Sequence, residues 1–203
     1  MSLGEAGEGL SRRGRGRPTE VDADRLARVA LTLFLESGYD KISMDDVAEA
    51  AQVSRRTLFR YFASKRELVW GGTTEALDRM REALTATSPD LPAMDAIRRG
   101  YVDALTFPPE LVQLTRQRLK LIGSEAELRA WGVGRAEATI DLTAEFIARR
   151  TDQRPHDLGP RVAAHAVSAA ATATLYWWAD YGERELPEVI DEVLRRVGRG
   201  LVG

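Results

Sequence analysis

Apolar residues recur along this chain at helical spacing. Leu26, Val29, Ala30, Leu33 and Phe34 fall on one stripe. Before them, Thr19-Glu20-Val21-Asp22 fits a capping box with Thr19 as the cap, and Gly38 supplies the positive-φ residue that ends the helix. A second box, Ser43-Met44-Asp45-Asp46, starts a helix with Val47, Ala48 and Ala51 on its inner side. Ser54 caps a third, from about Arg55 to Phe62. The box Ser64-Lys65-Arg66-Glu67 opens a fourth that reads through to about Leu84. Gly71-Gly72 weakens it early, by about 1 kcal/mol per glycine relative to alanine.

The pattern stays helical beyond this point. Leu91-Pro92 and Pro108-Pro109 punctuate helices of about 15 and 13 residues. A long segment from Glu125 to Arg150 is loosened by Gly132 and Gly134. A loop is expected at 152–160, then helices over Arg161–Tyr181 and Pro187–Gly198. No segment alternates with period two through β-branched residues, so the expected fold is all-α, with about nine helices and no sheet.

Helices two and three are each about eight residues long, with only Gln52 and Val53 between them. Helices that short cannot bury a face alone. They must cross and pack on helix one, with Val47, Val53, Leu58 and Phe62 at the junction, as in a helix-turn-helix over about residues 43–62. Carboxylates open helices one, two and four and complement the positive end of the helix dipole, whereas helix three begins Arg55-Arg56-Thr57, with Arg60 a turn later. That placement is unfavourable in isolation and becomes favourable beside an external polyanion; the competing reading is a short, exposed, basic helix.

Charge sharpens the picture. The whole chain carries a net −2, yet residues 11–66 hold 12 Lys and Arg against 8 Asp and Glu, while the remainder holds 17 against 23. Residues 1–18 read as a disordered arm, basic from Ser11 to Pro18, in which Arg15 and Arg17 are candidates to enter a minor groove. There is no cysteine and no apolar run long enough to cross a bilayer, which fits a cytoplasmic chain without membrane partners. The two histidines, His156 and His165, lie in no nucleophile, metal or phosphate motif, so no catalytic residue, cofactor or metal site is expected.

The run from Tyr39 to Leu68, with its boxes at Ser43 and Ser64 and the core Ser54-Arg55-Arg56-Thr57-Leu58-Phe59-Arg60-Tyr61-Phe62, resembles the DNA-binding domain of the TetR family of transcriptional regulators. The resemblance covers residues 19–79. It departs from the family at Gln52, where glycine is usual, so that either a slightly strained turn or a left-handed glutamine is expected. It departs also at Phe59, a common tyrosine position, and at Arg60, a common histidine position. The resemblance implies a three-helix DNA-binding head with the helix-turn-helix, and a larger ligand-binding and dimerisation domain over residues 80–203. The function it implies is a sequence-specific DNA-binding regulator, a repressor released from a near-palindromic operator in double-stranded DNA by an unidentified small-molecule effector. By position, Arg55 and Arg56 are candidates for base edges, and Ser43, Ser54, Thr57, Arg60, Tyr61 and Lys65 for further DNA contacts, chiefly phosphate.

The family also implies a homodimer through the last two helices. In the penultimate one Ala163, Ala164, Ala166, Ala169, Ala170, Ala171 and Ala173 allow close approach, and Val189, Ile190, Val193 and Leu194 follow in the last. An internal core helix would favour the same alanines. Candidate effector contacts are Tyr101, Phe107, Arg116, Trp131, Phe146 and His165, each equally readable as core, and Arg116, Arg118 and Lys120 form a basic stretch suited either to an anionic ligand head or to a solvated face. An architectural DNA-binding protein without an effector is the main alternative, and it leaves over 120 residues of helical body unexplained.

Overall fold

The first four helices each begin at a short polar side chain, Asp22, Ser43, Ser54 or Ser64, that accepts from a backbone N–H of the first turn. A computed structural model describes residues 22–71 and 73–200, which form ten helices and no strand. These are α1 (Ala23–Ser37), α2 (Met44–Ala50), α3 (Arg55–Tyr61), α4 (Lys65–Val69), α5 (Thr73–Thr85), α6 (Ala93–Ala104), α7 (Pro109–Ser124), α8 (Ala126–Thr151), α9 (Leu158–Tyr181) and α10 (Leu186–Arg199). Arg15, Arg17 and Thr19 lie outside the described residues. The cap of α1 is Asp22 rather than Thr19, its carboxylate accepting from the Asp24 N–H at 2.9 Å.

The expected fourth helix is two helices, which accounts for ten rather than nine. The first stops after five residues, with Trp70 as its C-cap. At Gly71 a Cβ would stand 3.0 Å from the Ala27 Cβ, so glycine lets this end sit against α1. The Arg118 guanidinium, reaching from α7, donates to the Gly71 carbonyl at 2.8 Å and satisfies an acceptor that a continuous helix would have used internally. Further along, α9 begins three residues before the expected Arg161. The Asp157 carboxylate accepts from the Arg154 backbone N–H at 2.9 Å and closes the turn there, after Asp152 has ended α8 in the left-handed region at φ 51°.

Two main cores result. The first gathers Leu26, Ala30, Leu31 and Phe34 of α1 with Val47, Leu58, Phe62 and Leu68, and it extends to Leu121 and Ile122 of α7 and Leu128 of α8. The second joins Met80, Ile97, Tyr101, Phe146, Val167, Ile190 and Leu194 from α5, α6, α8, α9 and α10. An ion pair between Arg98 and Asp191 ties α6 to α10. The head and the rear body therefore share apolar contacts through α7 and α8.

Candidate functional site

The turn between α2 and α3 is built from backbone hydrogen bonds that need one left-handed residue. Gln52 takes that role at φ 57°, the second of the two outcomes expected where glycine is usual, and such a residue costs of order 1 kcal/mol. The Val53 N–H then donates to the Ala48 carbonyl at 3.0 Å, and Arg25 of α1 donates to the Ala51 carbonyl at 3.3 Å. Sequence reasoning missed Arg25, because it acts across 26 positions. Upstream, the Ser43–Asp46 box is complete: the Asp46 N–H donates to Ser43 Oγ, and the Asp46 carboxylate accepts from the Ser43 N–H at 2.7 Å. The Ser43 hydroxyl, which donates to the same carboxylate at 2.7 Å, and the Ser43 N–H hold the Asp46 carboxyl below its usual range. On α3, Ser54 Oγ accepts from the Thr57 N–H at 3.0 Å, with the two hydroxyls 2.8 Å apart.

Leu58 turns inward from α3 and is fully buried, so the opposite face of the helix points outward. That face carries Arg55, Arg56, Phe59 and Arg60, all exposed. Arg55 pairs with Asp45 of α2 at 3.0 Å and lies over the Phe59 ring, 5.4 Å from its centre. Arg60 donates to the Tyr61 hydroxyl at 3.2 Å and lies over that ring, while Tyr61 packs on the head core. Arg56 makes no hydrogen bond or ion pair with another described residue. The outer face of α3 thus presents planar donors matched to phosphate oxygens and to guanine edges, on a support fixed by Leu58.

Lys65, a candidate phosphate contact, also holds the loop before α2. Its ammonium donates to the Tyr39 carbonyl and, at 2.9 Å, to the Ile42 carbonyl, and it stands over the Tyr39 ring at 4.2 Å. Two of its three donors therefore pin the loop between α1 and α2 to the start of α4.

The junction of head and body centres on Trp70. Its indole N–H donates to the Leu128 carbonyl at 3.2 Å, and its ring lies against Trp131 with 6.2 Å between centres. Arg66 adds an ion pair to Glu127 at 3.4 Å. In this way α4 is fastened to the first two turns of α8.

The six candidate effector residues do not converge. Tyr101 and Phe146 share the second core, but Phe107 packs with Trp178 and Leu186 at another place, and Trp131 faces Trp70. His165 is exposed beside Arg161. Arg116 donates to the Trp178 and Gly182 carbonyls at 2.6 and 2.9 Å and stacks on the Trp178 ring, so it caps the C-terminus of α9. With Arg118 on the Gly71 carbonyl and Lys120 exposed, the basic stretch of α7 is divided among separate tasks. The interior instead holds a polar group that the sequence did not disclose. Thr143 of α8 and Ser168 of α9 are buried next to Tyr101. Burial pushes the Tyr101 phenol up to about 12, against the opposing effect of those two hydroxyls. Among the described residues the phenol oxygen has no hydrogen-bond partner of ordinary geometry. Among the described residues no cluster of acidic and histidine side chains is arranged to hold a metal, and no helix is long and apolar enough to cross a membrane.

Residues 26–69 match the bacterial regulatory proteins of the tetR family, and residues 91–202 match the MftR C-terminal domain. A Mycobacterium tuberculosis protein assigned as the mycofactocin biosynthesis transcriptional regulator MftR is 30% identical over 92% of this chain and 94% of its own. The chain belongs to the TetR family. It is a transcriptional regulator of that family. The DNA-binding transcriptional repressor TetR of Mycobacteroides abscessus is 40% identical over 73% of this chain and 83% of its own. Among solved structures, Thermus thermophilus FadR, a TetR-family transcriptional repressor in complex with lauroyl-CoA, is similar in fold with a TM-score of 0.57, at 22% identity over 90% of this chain and 96% of that one.

In this TetR-family chain α9 keeps an apolar face outward over its whole length. Leu158, Val162, Trp177 and Tyr181 are among the large apolar residues left exposed, and Trp177 retains 50% of its surface. Between them Ala166, Ala169 and Ala173, with Val189 and Val193 of α10, line a shallow groove of about 850 Å³.

Proposed function

We propose that the protein is a homodimeric repressor that binds a near-palindromic operator through α3 and leaves it when a small-molecule effector enters the rear body. The observation that carries this is the outer face of α3, where exposed Arg56, without an ion pair to another described residue, stands beside Arg55 and Arg60 on a helix seated by Leu58. In this reading residues 19–79 are the reading head, and 80–203 bind effector and partner. The groove across α9 and α10 is covered by the same groove of a second copy. Its alanines permit close helix approach, and exposed Trp177 and Tyr181 favour burial. Two heads related by that axis meet major grooves one helical turn apart, roughly 34–36 Å.

The effector is an apolar molecule carrying a hydrogen-bond acceptor. The apolar second core and the unpartnered Tyr101 phenol support this class, and the lauroyl-CoA complex of the Thermus repressor makes an acyl-CoA the first compound to try. The test selects duplexes from a random library with the full-length protein and measures their affinity by anisotropy with and without lauroyl-CoA. An inverted-repeat site is expected, with affinity reduced 5–150-fold by a true effector. Selection that enriches no sequence overturns the DNA reading. A site unaffected by a panel of acyl-CoA thioesters overturns this effector class.

A further inference from the structure

An exposed aromatic ring on a reading helix is wasteful unless something apolar covers it. Phe59 keeps 39% of its surface exposed although its neighbours on that face are arginines. It stands one turn after Arg55, so the two side chains share a stripe of α3, and the guanidinium lies over the ring. Asp45 holds the other edge of the same guanidinium from the start of α2. The three form a ladder of carboxylate, guanidinium and aromatic ring across the outward face. The major groove offers one apolar feature, the C5 methyl of thymine, and its richest pair of acceptors is O6 and N7 of guanine. With the Arg55 guanidinium 5.4 Å from the centre of the Phe59 ring, the two groups are spaced to meet features of neighbouring bases together.

We infer that Arg55 and Phe59 act as one unit that reads a thymine beside a guanine, with Phe59 against the thymine methyl and Arg55 forked onto the guanine. Asp45 is a positioning residue that keeps the guanidinium over the ring before DNA arrives. This rests on the reading of α3 as a DNA contact and adds the sequence that it recognises.

The test uses a duplex selected by the full-length wild-type protein from a random library, resynthesised with deoxyuridine in place of each thymidine next to a guanine. Deoxyuridine removes only the methyl group. For the wild type, one such position loses roughly fourfold in affinity, the worth of one buried methyl group. Phe59→Ala, at an exposed position whose folding is checked by its melting curve, binds the two duplexes equally. Asp45→Asn narrows the ratio of selected to random binding while leaving the deoxyuridine effect in place. If wild type binds both duplexes alike at every such position, or Phe59→Ala stays sensitive to the methyl group, the pair does not read thymine and the inference falls. A selection that enriches no sequence removes the DNA reading itself, so the two failures are distinguishable.

Discussion

The ring of Trp70 occupies the space a side chain at Gly132 would need. A Cβ built on Gly132 would stand 2.5 Å from Trp70 Cη2, inside any real carbon–carbon contact. Glycine costs α8 helical stability at this position, and in exchange the C-cap residue of α4 lies flush against α8. Trp70 therefore transmits position between α4 and α8 by contact, with its indole N–H on the Leu128 carbonyl fixing the register.

Gly132→Ala forces that ring to move. The expected result is a loss of about 1–3 kcal/mol in stability, as for other overpacked contacts, with a changed tryptophan emission and weakened operator binding. Trp70→Ala in the same chain removes the collision, so the double variant is more stable than the sum of the single losses predicts. Additive losses in thermal melts would mean that the two residues are not coupled.

Lys65→Ala tests whether that side chain serves the loop or the phosphate. With its ammonium on the Tyr39 and Ile42 carbonyls, truncation leaves two partly buried acceptors unpaired and lowers stability by about 1–3 kcal/mol. Calorimetry and the salt dependence of DNA binding decide the matter. An unchanged melting temperature with a salt slope lower by about one would assign Lys65 to phosphate instead.

Ala173→Glu puts a carboxylate in the middle of the α9–α10 groove. If that groove is the contact between copies, burying an unpaired charge there is prohibitive, and sedimentation shows a monomer at micromolar concentration where the parent is a dimer. Helix content is unchanged, because the position is solvent-facing in a single copy. A dimer of undiminished affinity would move the interface elsewhere.

Acid stability carries a signature of the Ser43–Asp46 box. The folded Asp46 carboxyl lies below its ordinary value, so its contribution is full above the unfolded pKa of about 4 and is lost as pH falls through the lower folded value. An NMR titration of the Asp46 carboxyl is expected to give a midpoint below that of exposed aspartates, with α2 losing protection in the same interval. Ser43→Ala moves the midpoint back up, and an unmoved midpoint would place the cause outside the box.

Much of the head was legible because its signals are local. Ser43, Ser54 and Ser64 each cap a helix within three residues, and the glycine usual in the family at Gln52 pointed to strain or a left-handed residue in the turn, of which the structure holds the second. The break at Trp70 was not legible, since glycines only weaken a helix. What ends this one is Arg118, 47 positions away, on the Gly71 carbonyl. A longer separation, 62 and 66 positions, hid Arg116, whose charge suggested a ligand and whose guanidinium closes the end of α9. The phenol of Tyr101 was visible as an aromatic residue at helical spacing, but its isolation depends on how three helices cross. No periodicity within one helix encodes that.

The first core draws Leu121, Ile122 and Leu128 from beyond the head, and these three side chains complete the floor on which α1 and α4 rest. A fragment ending near residue 79 would leave that floor open. Grafting the head onto another family member's body should succeed only when residues 121–128 travel with it. Such a chimera would inherit its docking ridge together with its operator preference, which ties the evolution of the DNA-reading surface to a short stretch of sequence far from any base pair.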